Sequence, residues 1–249
     1  MSAVDRLLAR PTFGDGLCLR RMGALIPPIL RDRRLETFKI VGSNGKGSTA
    51  MLAASMLQKL AVRTGTFLSP HILSPTERIQ IAGAPIEAPA LERYVWQALE
   101  TTRRYEEAHP DDRLSQFEIW LLAALEAFLD AQVDIAILEA GIGGRYDPVR
   151  CAPGLLAALT SVDLEHTALL GGTREHIACD KADVIPGTGA LVVAPLGDPD
   201  LEARLAAYLR LRGVKPIFVS SAARLLERSA SVGDSPQIAA AFPTPDPRM

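Results

Sequence analysis

A glycine-rich segment with one lysine, VGSNGKGST at residues 41–49, has the residue types of a phosphate-binding loop. It follows an apolar run at 37–42 and opens an amphipathic run at 47–61, which predicts a strand, a loop and a helix. Backbone N–H groups at a helix start attract anions, and Lys46 adds a positive charge. The usual motif has Ser or Thr directly after the lysine, but Gly47 stands there. Taken alone, the segment fits either a phosphate site of another lineage or a simple glycine-rich turn.

Further polar groups stand where other predicted strands end. Ser69 ends the run TGTFLS, Glu139 lies in VDIAILEAG, and Asp163 and His166 stand at and just after the end of LLAALTSVD. Ligands of open parallel sheets bind outside the carboxyl ends of the strands. A lysine, a hydroxyl, a carboxylate and an imidazole at neighbouring strand ends therefore predict a site for a magnesium-bound nucleotide. Each residue alone also fits an ordinary role, as a turn cap, an ion-pair partner or a structural histidine.

Lys181 is predicted to point into the protein. The segment TREHIACDKADVI reads as a helix, and its spacing puts Lys181 on one stripe with Ile177, Val184 and Ile185. Desolvation favours the neutral form of an amine, which arginine could not supply. Two interpretations stay open, namely a lysine retained for chemistry and a lysine whose stem packs on the sheet.

The elements that must position these groups alternate along the chain. Apolar runs typical of buried strands are followed by amphipathic runs typical of helices, which predicts an α/β fold with a doubly wound, mainly parallel sheet. ERIQIAGAPI at 77–86 predicts a small hairpin. We expect one domain over residues 1–228. Residues 229–249, rich in Pro, Ser and Ala, are predicted to be a loosely ordered tail.

Composition excludes several classes of function. The 249 residues have a formal net charge of −2, so we expect no nucleic-acid partner and no attraction to acidic membranes. Cys18, Cys151 and Cys179 lack metal spacing and are expected to be free thiols of a reducing compartment. The chain shows no secretory signal and no apolar run of membrane-spanning length. These features predict a cytoplasmic protein.

Five motifs together resemble a known family. In chain order they are GSNGKGS, SPHILSPTERIQIAGAPI, LEAGIGGRYD, TSVDLEHTALLGGT and CDKADVIPG. Their order and spacing are similar to those of folylpolyglutamate synthase/dihydrofolate synthase, of the Mur ligase superfamily. The resemblance covers residues 15–195 and is specific as a set. It identifies the Lys-Gly-Ser order as the variant phosphate loop of that family, carried by a domain of the Mur ligase central-domain type.

The resemblance implies an amide ligase that depends on ATP and magnesium. A substrate carboxylate would be activated as an acyl phosphate, which glutamate or another amine then attacks. By similarity, the residues that hold the phosphates are Asn44, Gly45, Lys46, Gly47, Ser48 and Thr49. The implied magnesium ligands are Ser69, Glu139, His166 and, once carbamylated, Lys181. Catalytic roles are implied for Lys46, His166 and Lys181.

Three departures from the family pattern modify this expectation. Pro75-Thr76 precede Glu77-Arg78, and Pro148-Val149-Arg150 stand where the family commonly has Ala-Thr-Asn, so the acid pocket is expected to differ. The family continues with a second α/β domain that binds glutamate, and we expect that domain to be absent here. The alternatives are a half-ligase completed by a separate partner, a homo-oligomer, or a nucleotide-binding subunit without turnover.

Overall fold

The computed structural model describes residues 1–12, 14–15, 18–30 and 35–219. The predicted tail at 229–249 and the last residues of the predicted domain lie outside these ranges. The helices are α1 (Ala3–Leu8), α2 (Leu19–Leu30), α3 (Lys46–Lys59), α4 (Ala88–Ala108), α5 (Gln116–Asp130), α6 (Thr167–Leu170), α7 (Arg174–Ala182) and α8 (Pro199–Leu211). The strands are β1 (Glu36–Val41), β2 (Thr64–Phe67), β3 (Ile79–Ile81), β4 (Ala84–Pro85), β5 (Ile135–Glu139), β6 (Leu156–Leu159), β7 (Gly189–Val193) and β8 (Val214–Phe218).

The strands form one sheet in the order β4-β3-β2-β5-β1-β6-β7-β8. The six strands from β2 to β8 in this order run parallel, and β3 and β4 join antiparallel at one edge. The predicted mainly parallel, doubly wound sheet is therefore confirmed. The hairpin predicted at 77–86 also forms, and it extends the main sheet.

The two faces of the sheet are covered differently. Alternate residues of a strand point to opposite faces, so Ile40 of β1 packs toward α3 while Val41 joins the larger core on the other face. Helix α3 meets the sheet through small residues, Ala50 and Ala54. The larger core includes α5, whose residues are buried on nearly all sides. Among the described residues, no helix is long and apolar enough to cross a membrane.

The register places the predicted groups at one edge. Parallel pairing sets Ile40 of β1 opposite Glu139 of β5, and Val41 opposite Leu159 of β6. Strand β2 lies on the other side of β5, with Phe67 opposite Leu138. The chain segments that follow β2, β5, β1 and β6 therefore leave the sheet side by side.

Candidate functional site

The loop between β1 and α3 has a backbone that only glycine adopts easily. Gly45, the residue before α3, has φ 78°, and Gly42 has φ 153°. A side chain on Gly42 would also overlap Oγ1 of Thr160, so this position needs glycine for space as well as for conformation. The loop thus turns sharply from the strand into the helix, whose first N–H groups point out of its amino end.

Hydroxyl groups beyond β6 anchor this loop. The N–H of Ser43 donates to the carbonyl of Ser161 at 3.1 Å, and the N–H of Asn44 donates to Ser161 Oγ at 2.8 Å. Thr160 Oγ1 donates to the Asn44 carbonyl at 2.6 Å, and the Asn44 side chain donates to Asp163 at 3.0 Å. Sequence reasoning did not single out Thr160 or Ser161. The available signal was a pair of hydroxyl residues directly after an apolar run.

Lys46 is folded back onto the loop. Its Nζ donates to the carbonyl of Gly42 at 2.9 Å. Burial lowers the pKa of Lys46, and the positive charge of Lys181 acts in the same direction, whereas Glu139 and Glu165 raise it. Two lysines and two carboxylates therefore share one small region at the amino end of α3.

Glu139 and Ser69 are in direct contact. The N–H of Ser69 donates to Glu139 Oε2 at 2.9 Å, and the N–H of Gly47 also bonds this carboxylate. Glu139 is only 6% exposed, and burial raises its pKa, partly offset by Ser69 and Lys46. Its carboxylate forms no ion pair within 4.0 Å with a lysine, arginine or histidine of the described residues. A buried carboxylate of this kind is a suitable ligand for a cation.

His166 lies on the surface just beyond β6. It has φ 44°, and its carbonyl accepts hydrogen bonds from Leu169 and Leu170 in α6. Its ring makes no hydrogen bond within the described chain, and none joins it to Ser69 or Glu139. No group of three or more His, Cys, Asp and Glu in the described ranges could hold a metal ion. Of the four predicted ligands, Ser69 and Glu139 are in contact through the N–H of Ser69, and the metal roles of all four stay predictions.

Lys181 points inward as its stripe predicts. It is 1% exposed, and Ile177, Val184 and Ile185 are buried with it. Its Nζ lies 2.7 Å from Oε1 of Glu165, whose carboxylate also accepts a hydrogen bond from Ser43 in the phosphate loop. Lys181 therefore adjoins the loop through Glu165. Sequence reasoning missed Glu165, although it directly precedes His166 in the motif.

A cavity of about 650 Å³ opens beside this edge. Its apolar wall includes Phe117, Trp120, Pro70, Leu169 and Pro148. Of the three residues that depart from the family pattern after GGRYD, Pro148 lines the cavity. Val149 is buried in the core, and the Arg150 guanidinium donates to the carbonyl of Asp183.

Two carboxylates at the cavity are bound by neighbouring protein groups. Glu118 accepts two hydrogen bonds from the Arg21 guanidinium, at 2.6 and 2.9 Å. Asp147 accepts from the N–H groups of Gly141 at 2.8 Å, Ile142 at 3.1 Å and Val149 at 3.0 Å. Burial raises the pKa of Asp147 to about 7, against the effect of these three donors. Both carboxylates thus shape the cavity wall.

The strand order, the glycine loop after β1 and the buried carboxylate at the end of β5 define a phosphate-loop α/β domain of the Mur ligase type. No protein-family model matches the chain. Comparison with curated proteins and solved structures places it with folylpolyglutamate synthase/dihydrofolate synthase, which it matches over one part of those enzymes.

Three similar proteins illustrate the match. The Escherichia coli dihydrofolate synthase/folylpolyglutamate synthase is 32% identical over 206 residues, which are 80% of this chain and 45% of the enzyme. A probable bifunctional folylpolyglutamate synthase/dihydropteroate synthase of Haloferax volcanii is 38% identical over 160 residues, covering 64% of this chain and 19% of that protein. A folylpolyglutamate synthase solved with AMPPCP and folate has a TM-score of 0.79 and 30% identity, covering 87% of this chain and 53% of the other. The chain therefore spans about half the length, or less, of these relatives.

Proposed function

We propose that this chain carries the nucleotide and acid sites of an ATP-dependent amide ligase of the folylpolyglutamate synthase type. The observation that carries the proposal is the contact between the phosphate loop and the buried Glu139, at the edge beside a large cavity. ATP would bind at Asn44–Thr49, and a carboxylic acid in the cavity would face its terminal phosphate. Reactions of this kind depend mainly on positioning and on neutralising charge.

Magnesium would be held by Ser69, Glu139 and His166, with a second ion on Lys181 once that residue is carbamylated. The bound ion would neutralise phosphate charge. The buried carboxylate of Glu139, which lacks an ion-pair partner in the described chain, fits this role. Lys46 would leave the Gly42 carbonyl to meet the phosphates, and catalytic roles are proposed for Lys46, His166 and Lys181.

The acid is proposed to be of the folate type, and the amine to be glutamate or another amino acid. Support comes from the solved relative that contains folate and AMPPCP. Pro148 supports a modified pocket, because it removes a backbone donor from the cavity wall. The free thiols of Cys18, Cys151 and Cys179 support a cytoplasmic location.

Calorimetry with Mg-AMPPCP tests the nucleotide site. Replacing Lys46 with Ala should weaken binding by about 1.5–3 kcal/mol, the scale of a hydrogen bond to a charged group. Lys59→Ala removes the same charge from the last turn of α3 and should leave binding unchanged. Equal affinity of the wild type and Lys46→Ala would contradict the assignment.

A second candidate is a half-ligase, or nucleotide-binding subunit, that acts with a separate partner or as a homo-oligomer. The chain matches 45% of the Escherichia coli enzyme and 53% of the solved synthase, and this candidate assigns it the part of their reaction that the matched region supports. The test is product formation from ATP, labelled glutamate and a folate-type acid. Product from the 249-residue chain alone supports the first candidate. ATP binding without product, and product after addition of a partner, supports the second.

A further inference from the structure

Two cations line the cavity, and their surroundings differ. Arg21 is buried and is neutralised by Glu118 and by Asp112, at 2.6 and 2.8 Å. Arg78 also lines the cavity, and it forms no ion pair within 4.0 Å among the described residues. A partly buried guanidinium without a contacting carboxylate is costly unless an anion joins it. Arg78 is therefore the cation of this cavity that has capacity for a ligand.

Several contacts hold Arg78 in place. It ends a 3₁₀ helix, Pro75–Arg78, which begins with a reciprocal cap between Ser74 and Glu77. Its guanidinium lies over the ring of Trp120, 5.2 Å from the centroid. Its Nε donates to His71 Nδ1 at 2.8 Å. The position of the guanidinium is thus fixed by backbone structure, by an aromatic ring and by a hydrogen bond.

Arg78 contacts the Ser69 side chain as well as lining the cavity. Nη1 lies 3.5 Å from Ser69 Oγ, and Ser69 in turn bonds Glu139 through its N–H. Nη2 has no hydrogen-bond partner within the described chain. Arg78 therefore stands between the apolar cavity and the edge where the phosphate loop lies. Burial lowers its pKa, as expected for a cation that lacks a partner in contact.

We propose that Arg78 binds the carboxylate of the acid substrate and presents it to the nucleotide edge, while the body of the acid packs in the cavity. This inference rests on the proposed function, because it assumes that an acid enters the cavity. A planar guanidinium binds a carboxylate through two parallel hydrogen bonds. Phe117 and Trp120 line the cavity nearby, which favours an acid with a flat or apolar body.

The test measures binding of acids and of their uncharged counterparts by calorimetry, without nucleotide. The probes are pteroate with its methyl ester, and benzoate with benzamide. The wild type should bind at least one acid more tightly than its uncharged counterpart. Arg78→Met should lower the affinity for that acid roughly tenfold or more, the effect of losing charge-assisted hydrogen bonds, and should leave the uncharged probe unchanged. Arg78→Lys should restore only part of the loss.

Two controls separate this inference from the proposed function. Arg63→Met removes an exposed arginine just before β2, at the opposite edge of the sheet, and should change no affinity. Arg78→Met should still bind Mg-AMPPCP, which shows that the nucleotide site remains folded in the variant. Absence of binding of both acids to the wild type, or equal acid affinity in Arg78→Met, overturns the inference. Loss of Mg-AMPPCP binding by the wild type, with acid binding kept, overturns the proposed ligase instead.

Discussion

Lys39, at the centre of β1, should make the stability of this protein depend on pH in the alkaline range. Its side chain is 0% exposed, and its Nζ donates to the Arg150 carbonyl at 3.2 Å. Burial lowers the pKa of Lys39 from 10.5 to about 8, with a further lowering by Arg150. In the unfolded chain the amine keeps its ordinary pKa. A lowering of this size corresponds to about 3 kcal/mol of unfolding free energy.

The sign of this pH dependence follows from which state, folded or unfolded, binds the proton of Lys39 more tightly. Below about pH 8 both states are protonated, and the folded state bears the cost of the buried charge. Between about pH 8 and 10.5 the folded state releases its proton first, so the unfolded state binds more protons and stability rises with pH. Lys39→Met keeps the length of the side chain and removes the charge. Near pH 7 this variant should be more stable by about 2 kcal/mol, after loss of a hydrogen bond worth about 1 kcal/mol.

Urea unfolding from about pH 7 to 10.5 measures the effect. The Cys151 thiol has a raised pKa and interacts with Lys39. The wild-type and Lys39→Met proteins should therefore both carry Cys151→Ala, so that this thiol does not contribute to the pH dependence. The stability advantage of Lys39→Met should shrink steadily and vanish at about pH 9.5. At about pH 10.5 the variant should be less stable than its parent by about 1 kcal/mol, the hydrogen bond that methionine cannot make. Lys59→Met, at the end of α3, should differ from the wild type by an amount that does not change with pH. A constant difference between Lys39→Met and its parent would refute the reasoning.

Two further substitutions test the loop and the cavity wall. Gly42→Ala should destabilise the fold and weaken Mg-AMPPCP binding, because the new Cβ overlaps Thr160 and the backbone has positive φ. Thermal unfolding and calorimetry measure the two effects. Gly23→Ala is the matched control, because a Cβ at that position has open space. Glu118→Gln should cost about 3–5 kcal/mol in urea unfolding, since it leaves the buried Arg21 without its main partner, and a loss below about 1 kcal/mol would show that Asp112 suffices.

The sheet could be predicted from the sequence because its signals are local and repeated. Alternation of apolar and amphipathic runs defined the order of strands and helices, and the rule that parallel strands share a carboxyl edge grouped Ser69, Glu139 and the phosphate loop. The hairpin at 77–86 was predicted as well. Its pairing with β2 was not, because the pairing partner of a short edge strand is fixed by tertiary packing.

Side-chain partners were the part that the sequence did not determine. Glu165 and Lys181 are sixteen positions apart, and Arg78 meets Trp120 across a still longer separation. No spacing rule connects such residues, because their contacts depend on how loops leave the sheet. Asp147 illustrates the same limit. It ends the motif LEAGIGGRYD, and the structure shows that three backbone N–H groups surround its carboxylate.

Lys181 provides the sharpest test of the metal site, because its present contact opposes its predicted modification. A carbamate is negatively charged, whereas the side chain now pairs with the Glu165 carboxylate at 2.7 Å. Two negative charges about 4 Å apart repel by roughly 4 kcal/mol at the effective dielectric of a protein surface. Carbamylation should therefore require that a cation lies between them or that Glu165 loses its charge.

Carbon-13 NMR of protein in labelled bicarbonate detects the carbamate directly, without an activity assay. The ligand-free wild type should show little signal, and addition of Mg-AMPPCP should increase it. Glu165→Gln should show the signal without nucleotide, because the repulsion is removed, and Lys181→Ala should show none under either condition. The exposed Glu107→Gln, on α4, should behave like the wild type. If Glu165→Gln with Mg-AMPPCP still shows no carbamate, Lys181 serves as a structural ammonium that ties α7 to the phosphate loop through Glu165. The metal site would then have to be built from Ser69, Glu139 and His166 alone.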